Sequence, residues 1–274
     1  MTSRAGLSDV PLIGLSTASV YPESTAHAFG YAATLGYDAV EVMVGIDALS
    51  QQMTAIKQLA EHHGVGVCAV HAPCLLITQR VWGTDPWGKL ERSAEMAQEV
   101  GADVVVVHPP FRWQKEYARE FVQGIEGLEQ STGVAFAVEN MYPWRASSKR
   151  SVEAYLPGRD PSQERYANAT IDLSHAAVAQ EDPIAMADRL GERLRHIHLT
   201  DGTGSAKDEH LVPGRGNQPV AELLQHLACG DFAGHVVVEI NTRKASTPAQ
   251  RSADLAESLD FAREHLGLTR VDRG

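Results

Sequence analysis

Gly101 to Pro110 reads GADVVVVHPP. A glycine of the kind that ends a helix comes first, then four consecutive valines, a histidine and two prolines. An uninterrupted β-branched run is what a parallel strand covered on both faces requires; a strand with one wet face would alternate. The prolines stop the strand immediately after the histidine. The same order recurs on either side, in VGVCAVH from Val65 to His71 and in VAFAVE from Val134 to Glu139. Each is a short apolar strand that ends on an ionisable group.

Working outward, the pattern predicts eight strands: Leu12 to Ser16, Asp38 to Val44, Val65 to His71, Asp103 to His108, Val134 to Glu139, Ala169 to Asp172, His196 to Thr200 and Val236 to Ile240. Amphipathic stretches lie between them, among them Leu49 to His63, Pro86 to Val100 and Pro248 to His265. Gly64, Gly101, Gly133 and Gly234 stand just before strands, where helix C-caps and αβ turns want glycine. Eight strand–helix units in 274 residues predict one α/β domain, residues 1–274, folded as a (β/α)8 TIM barrel. A doubly wound open sheet is the alternative, but LIGLSTASVYPES after the first strand holds no glycine-rich phosphate loop. Tyr142 to Pro161 reads as the longest irregular stretch. It carries Arg145, Lys149, Arg150 and Arg159, either as a solvated loop or as a lid over an anionic substrate.

Barrel enzymes carry their chemistry at the C-terminal ends of the strands. Six successive predicted strands deliver His71, His108, Glu139, Asp172, His198 and Glu239 to that rim. His175 follows Asp172 by one short turn, and Asp208 and His210 stand two apart on the loop after the seventh strand. Taken singly, a strand-end histidine is an ordinary hydrogen-bonded core residue and a glutamate an ordinary arginine partner. Together they are costly to bury unless something binds them, and a divalent metal absorbs carboxylate charge while using neutral imidazole.

The composition sets bounds on partners. A net charge of −11 argues against non-specific binding to nucleic acid or anionic membrane. Three cysteines at unrelated spacings make neither a disulfide framework nor a CxxC zinc site. No apolar run approaches the ~20 residues of a membrane span, and MTSRAGLSDVPLIGLS lacks a signal-peptide layout, so a cytoplasmic location is expected. Nothing fixes the oligomeric state.

The segments VHAP at His71, VVHPP at His108, VENM at Glu139, IDLSH at Asp172 and His175, HLTD at His198, DEH at Asp208 and His210, and VVVE at Glu239 resemble the xylose-isomerase-like barrel superfamily. That group includes sugar-phosphate isomerases and epimerases and also endonuclease IV. The resemblance implies that Glu139, Asp172, His198 and Glu239 occupy the positions with which ketose epimerases hold one metal. It also implies that His71, His108, His175, Asp208 and His210 match the further ligands of endonuclease IV's trinuclear zinc site. Two stretches depart from endonuclease IV. HAPCLLIT has Cys74 where a DNA-contacting tyrosine stands and Thr78 where asparagine stands, and PGRGN has Arg215 in place of glutamate. These departures stand against DNA-lesion recognition. Arg215 suits a phosphate or carboxylate on a small substrate, or is a surface arginine.

Two enzymatic readings follow from the resemblance, beside a minor third in which the rim residues are structural. In one, a divalent ion polarises a small, phosphorylated sugar or polyol and stabilises an enediolate, Glu139 and Glu239 move the proton, and His175 orients a hydroxyl or binds a second metal. In the other, up to three ions hydrolyse a phosphoester, with the two glutamates bridging. Zinc suits the imidazoles; manganese or magnesium suits the carboxylates.

Overall fold

A computed structural model describes residues 10–147, 150–230 and 232–268. In chain order the first strands are β1 (Leu12–Ser16), β2 (Ala39–Met43), β3 (Gly66–His71), β4 (Val104–Val107) and β5 (Ala135–Glu139). A hairpin of β6 (Trp144–Ser147) and β7 (Arg150–Val152) follows, then β8 (Asn168–Asp172), β9 (Leu194–Leu199) and β10 (His235–Val238). Leaving out the hairpin, the other eight close a parallel barrel in the order β1-β10-β9-β8-β5-β4-β3-β2. Helices α1 (Thr25–Leu35), α2 (Met53–His63), α3 (Pro86–Val100), α4 (Lys115–Thr132), α5 (Leu173–Ala179), α6 (Pro183–Leu190), α7 (Val220–Cys229) and α8 (Pro248–His265) connect them. Among the described residues no helix is long and apolar enough to cross a membrane.

Local chemistry explains the boundaries. Helix α3 starts where the Asp85 carboxylate accepts from the N–H groups of Trp87 and Gly88, with Pro86 in the first turn, and it stops at left-handed Gly101. Two departures from the sequence reading and one refinement are instructive. Leu49 to His63 is not one helix: a short 3-10 turn over Ala48–Gln51 precedes α2. Gly234 belongs to the αβ turn rather than to a helix cap, since α7 ends at Cys229; a Cβ there would lie 2.3 Å from the Arg195 carbonyl oxygen, so the strand entrance demands glycine. The stretch from Tyr142 to Pro161 is not wholly irregular, because it holds the β6–β7 hairpin; Lys149 lies outside the described residues.

Alternation along each strand sorts the interior. Val105, Val107, Phe136, Val138, Ile197 and Leu199 face outwards into the main core under the helices. Ala39, Cys68, Ala69, Val104, Val106, Ala137 and Val237 form a separate apolar plug inside the barrel. Two bulges set what stands above that plug. Val40 pairs with Val67 but Glu41 with Ala69, so Cys68 is the extra residue. Ala169 pairs with Leu194 but Thr170 with His196, so Arg195 is extra. The second bulge brings His196 and His198 into step with Thr170 and Asp172 on the inner face.

Candidate metal centre

Glu139, the last residue of β5, is the hub. Its Oε2 lies 2.8 Å from His108 Nε2 and 3.2 Å from His71 Nε2. Its Oε1 lies 3.1 Å from His198 Nδ1 and 3.3 Å from His175 Nδ1. His198 Nδ1 in turn sits 3.2 Å from Glu239 Oε2 and 3.5 Å from Asp172 Oδ2. Four strands, β5, β8, β9 and β10, thus aim Glu139, Asp172, His198 and Glu239 at one point, with Glu239 one residue beyond the end of its strand. All four are buried.

A second group adjoins the first. Asp172, His175, Asp208 and His210 present donor atoms that all lie within 4.8 Å of one another. Asp172 plays two parts, because its Oδ1 also accepts from the His175 N–H at the start of α5. Asn140 fixes Asp172 from behind: its side chain accepts from the Asp172 N–H at 2.6 Å and donates to the Asp172 carbonyl at 3.1 Å.

Asp208 and His210 arrive on a loop, and two residues hold that loop down. The Ser174 hydroxyl donates to Asp208 at 2.6 Å and accepts from the N–H groups of Glu209 and His210. The Asp201 carboxylate accepts from the backbone of Gly202, Gly214, Gly216 and Gln218 at 2.8–3.2 Å. A side chain at position 216 would place Cβ 2.2 Å from that carboxylate, which explains the second glycine of PGRGN. His210 adopts a φ of 45°, and this turn brings its Nε2 to 3.1 Å from Asp208. His210 Nδ1 faces the Glu239 carbonyl at 2.8 Å; an N–H there leaves Nε2 as the free donor.

The electrostatics follow from this crowding. Burial pushes the Glu139 carboxyl up, but His108 and His198 outweigh it and hold the group well below the usual carboxylate range. Glu239 behaves oppositely: burial dominates and raises it, with His198 and His210 only partly offsetting. For His175, His198 and His210 burial is overcome by neighbouring carboxylates, and all three rise, His210 to about 10. His108 is lowered, because desolvation wins there.

The donor set fits a divalent cation. Asp172 Oδ2 and Glu239 Oε2 are buried atoms without a hydrogen-bond partner, and both converge on His198 Nδ1. A carboxylate left so in a protein interior costs several kcal/mol, which an ion between these three atoms would offset.

All nine rim residues singled out from the sequence meet here, in two adjoining groups. Arg215 does not join them: its guanidinium is half exposed and paired with Asp254 at 2.8 Å and Glu257 at 2.5 Å on α8. Arg159, from the basic stretch, is likewise bound to Glu153 and Glu181. Two buried members of the arrangement, Glu41 and His196, escape a search confined to strand ends. The signals were there: a glutamate in the middle of AVEVM, and the i, i+2 histidines of HIH. Beside His108 opens a cavity of about 260 Å³ whose lining includes Cys74, Phe111, Trp113 and Tyr117.

With this geometry in place, known proteins supply the frame. The pattern described as the xylose isomerase-like TIM barrel matches residues 29–265. The chain belongs to that family. Within it, an uncharacterized protein of Mycobacterium tuberculosis (strain ATCC 25618 / H37Rv) is 49% identical over 272 residues, covering 93% of this chain and 97% of its own. A fructoselysine 3-epimerase of Escherichia coli O157:H7 is 23% identical over 247 residues, covering 81% of this chain and 87% of its own. The crystal structure of a D-tagatose 3-epimerase-like protein superposes with a TM-score of 0.64 at 24% identity, covering 92% of this chain and 98% of that one, a likeness of fold.

Proposed function

We propose that the protein is a metal-dependent sugar epimerase or isomerase that moves a proton at the carbon beside a ketose carbonyl. The observation that carries this reading is the placement of Glu139 at the end of β5 and Glu239 just past β10, strands separated by β8 and β9, 3.1 and 3.2 Å from the same His198 nitrogen. Two carboxylates flanking one point can address both faces of a planar carbon, one accepting a proton and the other returning it. The epimerases among the relatives make a small sugar the natural substrate class.

Glu139, Asp172, His198 and Glu239 would hold the ion, which when bound supplies a Lewis acid for the substrate's oxygens. This carboxylate-rich set admits manganese or magnesium, and the imidazole-bearing second group favours zinc. Glu239 is the better proton carrier of the two glutamates. Glu139 is held by four imidazoles, whereas Glu239 meets only one, through an oxygen that makes no hydrogen bond. His175, buried next to Tyr142 with ring centroids 4.9 Å apart, would orient a substrate hydroxyl or take part in a second ion site. Phe111 and Trp113, stacked 4.6 Å apart beside the His108 cavity, offer a flat face for the C–H side of a sugar. Arg215 and Arg159 are already paired with carboxylates, so neither stands ready as an anchor for a substrate phosphate.

A second reading has its own support. The group of Asp172, His175, Asp208 and His210 is a complete four-donor set, which a single-metal epimerase does not need and a multinuclear phosphoesterase would use. One experiment separates the two. Protein loaded with Mn²⁺ or Zn²⁺ is incubated in D2O with free and phosphorylated ketoses and ketosamines, and in parallel with phosphoesters, alongside a metal count. Loss of the proton signal beside the carbonyl, with one or at most two ions per chain, is the expected outcome. Phosphate release with about three ions per chain, and no exchange on any ketose, would overturn it.

A further inference from the structure

Glu41 sits beneath the metal centre, fully buried, and none of the roles above uses it. Its neighbours Val40 and Val42 face the outer core, so alternation turns the carboxylate into the barrel. There Oε2 lies 3.3 Å from His198 Nε2 and 3.0 Å from His196 Nε2. The two imidazoles stand edge to face, 5.0 Å apart with planes at 90°, clasping the carboxylate from two directions.

We infer that Glu41 is a positioning residue: it holds His198 by Nε2 and so determines that Nδ1 is the nitrogen offered to Glu139, Asp172 and Glu239. An imidazole can present either nitrogen, and which one is free depends on the hydrogen bond made by the other. With Nε2–H donated to Glu41, the Nδ1 lone pair points at the rim, where Glu139, Glu239 and Asp172 stand 3.1–3.5 Å away. The same bond stops the ring from flipping and makes Nδ1 more electron-rich, as carboxylates behind metal-bound histidines do. His196 Nε2 stands against the same oxygen at 3.0 Å. A purely structural ion pair is a poor account of this residue. Burying a carboxylate costs several kcal/mol, and an apolar side chain in the same space would serve a scaffold at least as well.

This rests on the metal-dependent reading, and the test keeps the two apart. Metal-free wild type, Glu41→Gln and Glu41→Ala are titrated calorimetrically with Zn²⁺, and their melting temperatures are recorded with and without the ion. The zinc-loaded proteins, labelled with 15N-histidine, then report which His198 nitrogen is protonated. Wild type should show Nε2 protonated and Nδ1 on the metal. Glu41→Ala should bind zinc roughly 10–100-fold more weakly, the range for losing such a partner. Glu41→Gln should recover part of that loss, because its amide oxygen can accept the same N–H, and it also covers the case in which the alanine variant does not fold. Any lower melting temperature of the metal-free variants reports only the loss of a buried partner; the diagnostic is the zinc-induced rise in melting temperature, which should shrink in both variants. Unchanged zinc affinity in both variants, or a wild-type His198 protonated on Nδ1, would overturn the role of Glu41 and leave the metal site standing. A wild type that takes up no zinc would overturn the metal-dependent reading itself.

Discussion

The two donor groups at the rim are built differently. The group around Glu139 and His198 is carried on strand ends, is buried, and stands on an apolar plug of Ala39, Cys68, Ala69, Val104, Val106, Ala137 and Val237. The group around Asp208 and His210 is carried half on a loop, is only half-buried, and keeps its shape through hydrogen bonds with Ser174 and backbone N–H groups donated to Asp201. A strand end is fixed by the whole barrel, whereas a loop is fixed by the few bonds that tie it down. The strand-borne group should therefore resist change except at its own donors, and the loop-borne group should fail when a remote anchor is cut.

The largest effect is expected at Glu239. Glu239→Gln keeps an oxygen and the shape but removes the charge and the basicity, so turnover should fall by at least on the order of 10²-fold while the fold survives. Solvent-deuterium exchange and circular dichroism check this together; near-normal exchange would show that the proton carrier is elsewhere. Next comes the contrast between two histidines. His198→Ala should cost the strand-borne ion more than the roughly 10–100-fold that losing an outer partner costs. His210→Ala should leave that ion bound and empty only the second group. Equal loss in both variants, measured by metal analysis, would mean the two groups are one site.

Protons sharpen the comparison further. Carboxylates hold His175, His198 and His210 above their ordinary range, so near neutral pH these rings carry protons in the metal-free protein. A protonated imidazole cannot bind an ion, so loading must release protons. Affinity should rise with pH, about tenfold per unit for each proton released, and should flatten as His210 passes its value near 10. Calorimetry in two buffers of different ionisation enthalpy measures the release, and none at pH 7 would contradict the charge balance described here.

Legibility followed the same division. The strand ends could be read because a run such as VVVVH announces both its burial and its stop, and the fold came with them. Glu41 was hidden because it lies inside a strand, where one polar letter among apolar ones says nothing of the bulge at Cys68 that sets its register with β3. The β6–β7 hairpin was illegible because strands of four and three residues leave too short a period to detect. Asp201 looked like the end of HLTD, and only the fold shows that it gathers four backbone N–H groups. The pairing of Arg215 was illegible because its partners, Asp254 and Glu257, lie some forty residues away on a helix whose approach the sequence does not encode.

Cutting the loop's anchor gives a smaller but more pointed result. Asp201→Asn retains one acceptor but loses the charge that strengthens four N–H bonds, a loss of about 1–3 kcal/mol. Thermal denaturation should show that loss, and metal analysis should show the second ion weakened with the strand-borne ion intact. Equal weakening of both ions would mean that the loop supports the strand ends too.

The smallest effect is expected at Arg215, and it bears on what the loop is for. If this arginine read a substrate anion, Arg215→Ala would raise KM for phosphorylated sugars far more than for free ones. The structure instead gives its guanidinium two carboxylates on α8, at 2.5 and 2.8 Å, in a half-exposed position. Exposed pairs of this kind are worth about 0–1 kcal/mol, because water screens them and two long side chains must be held still. The variant should therefore melt within a few degrees of wild type and keep the ratio of KM values between phosphorylated and free sugars. Its whole effect should come from how firmly α8 clips the outer side of the PGRGN turn, whose inner side is already held by Asp201. A selective rise in KM for the phosphorylated sugar would return Arg215 to the binding site and would mean that the loop swings inward when substrate is present.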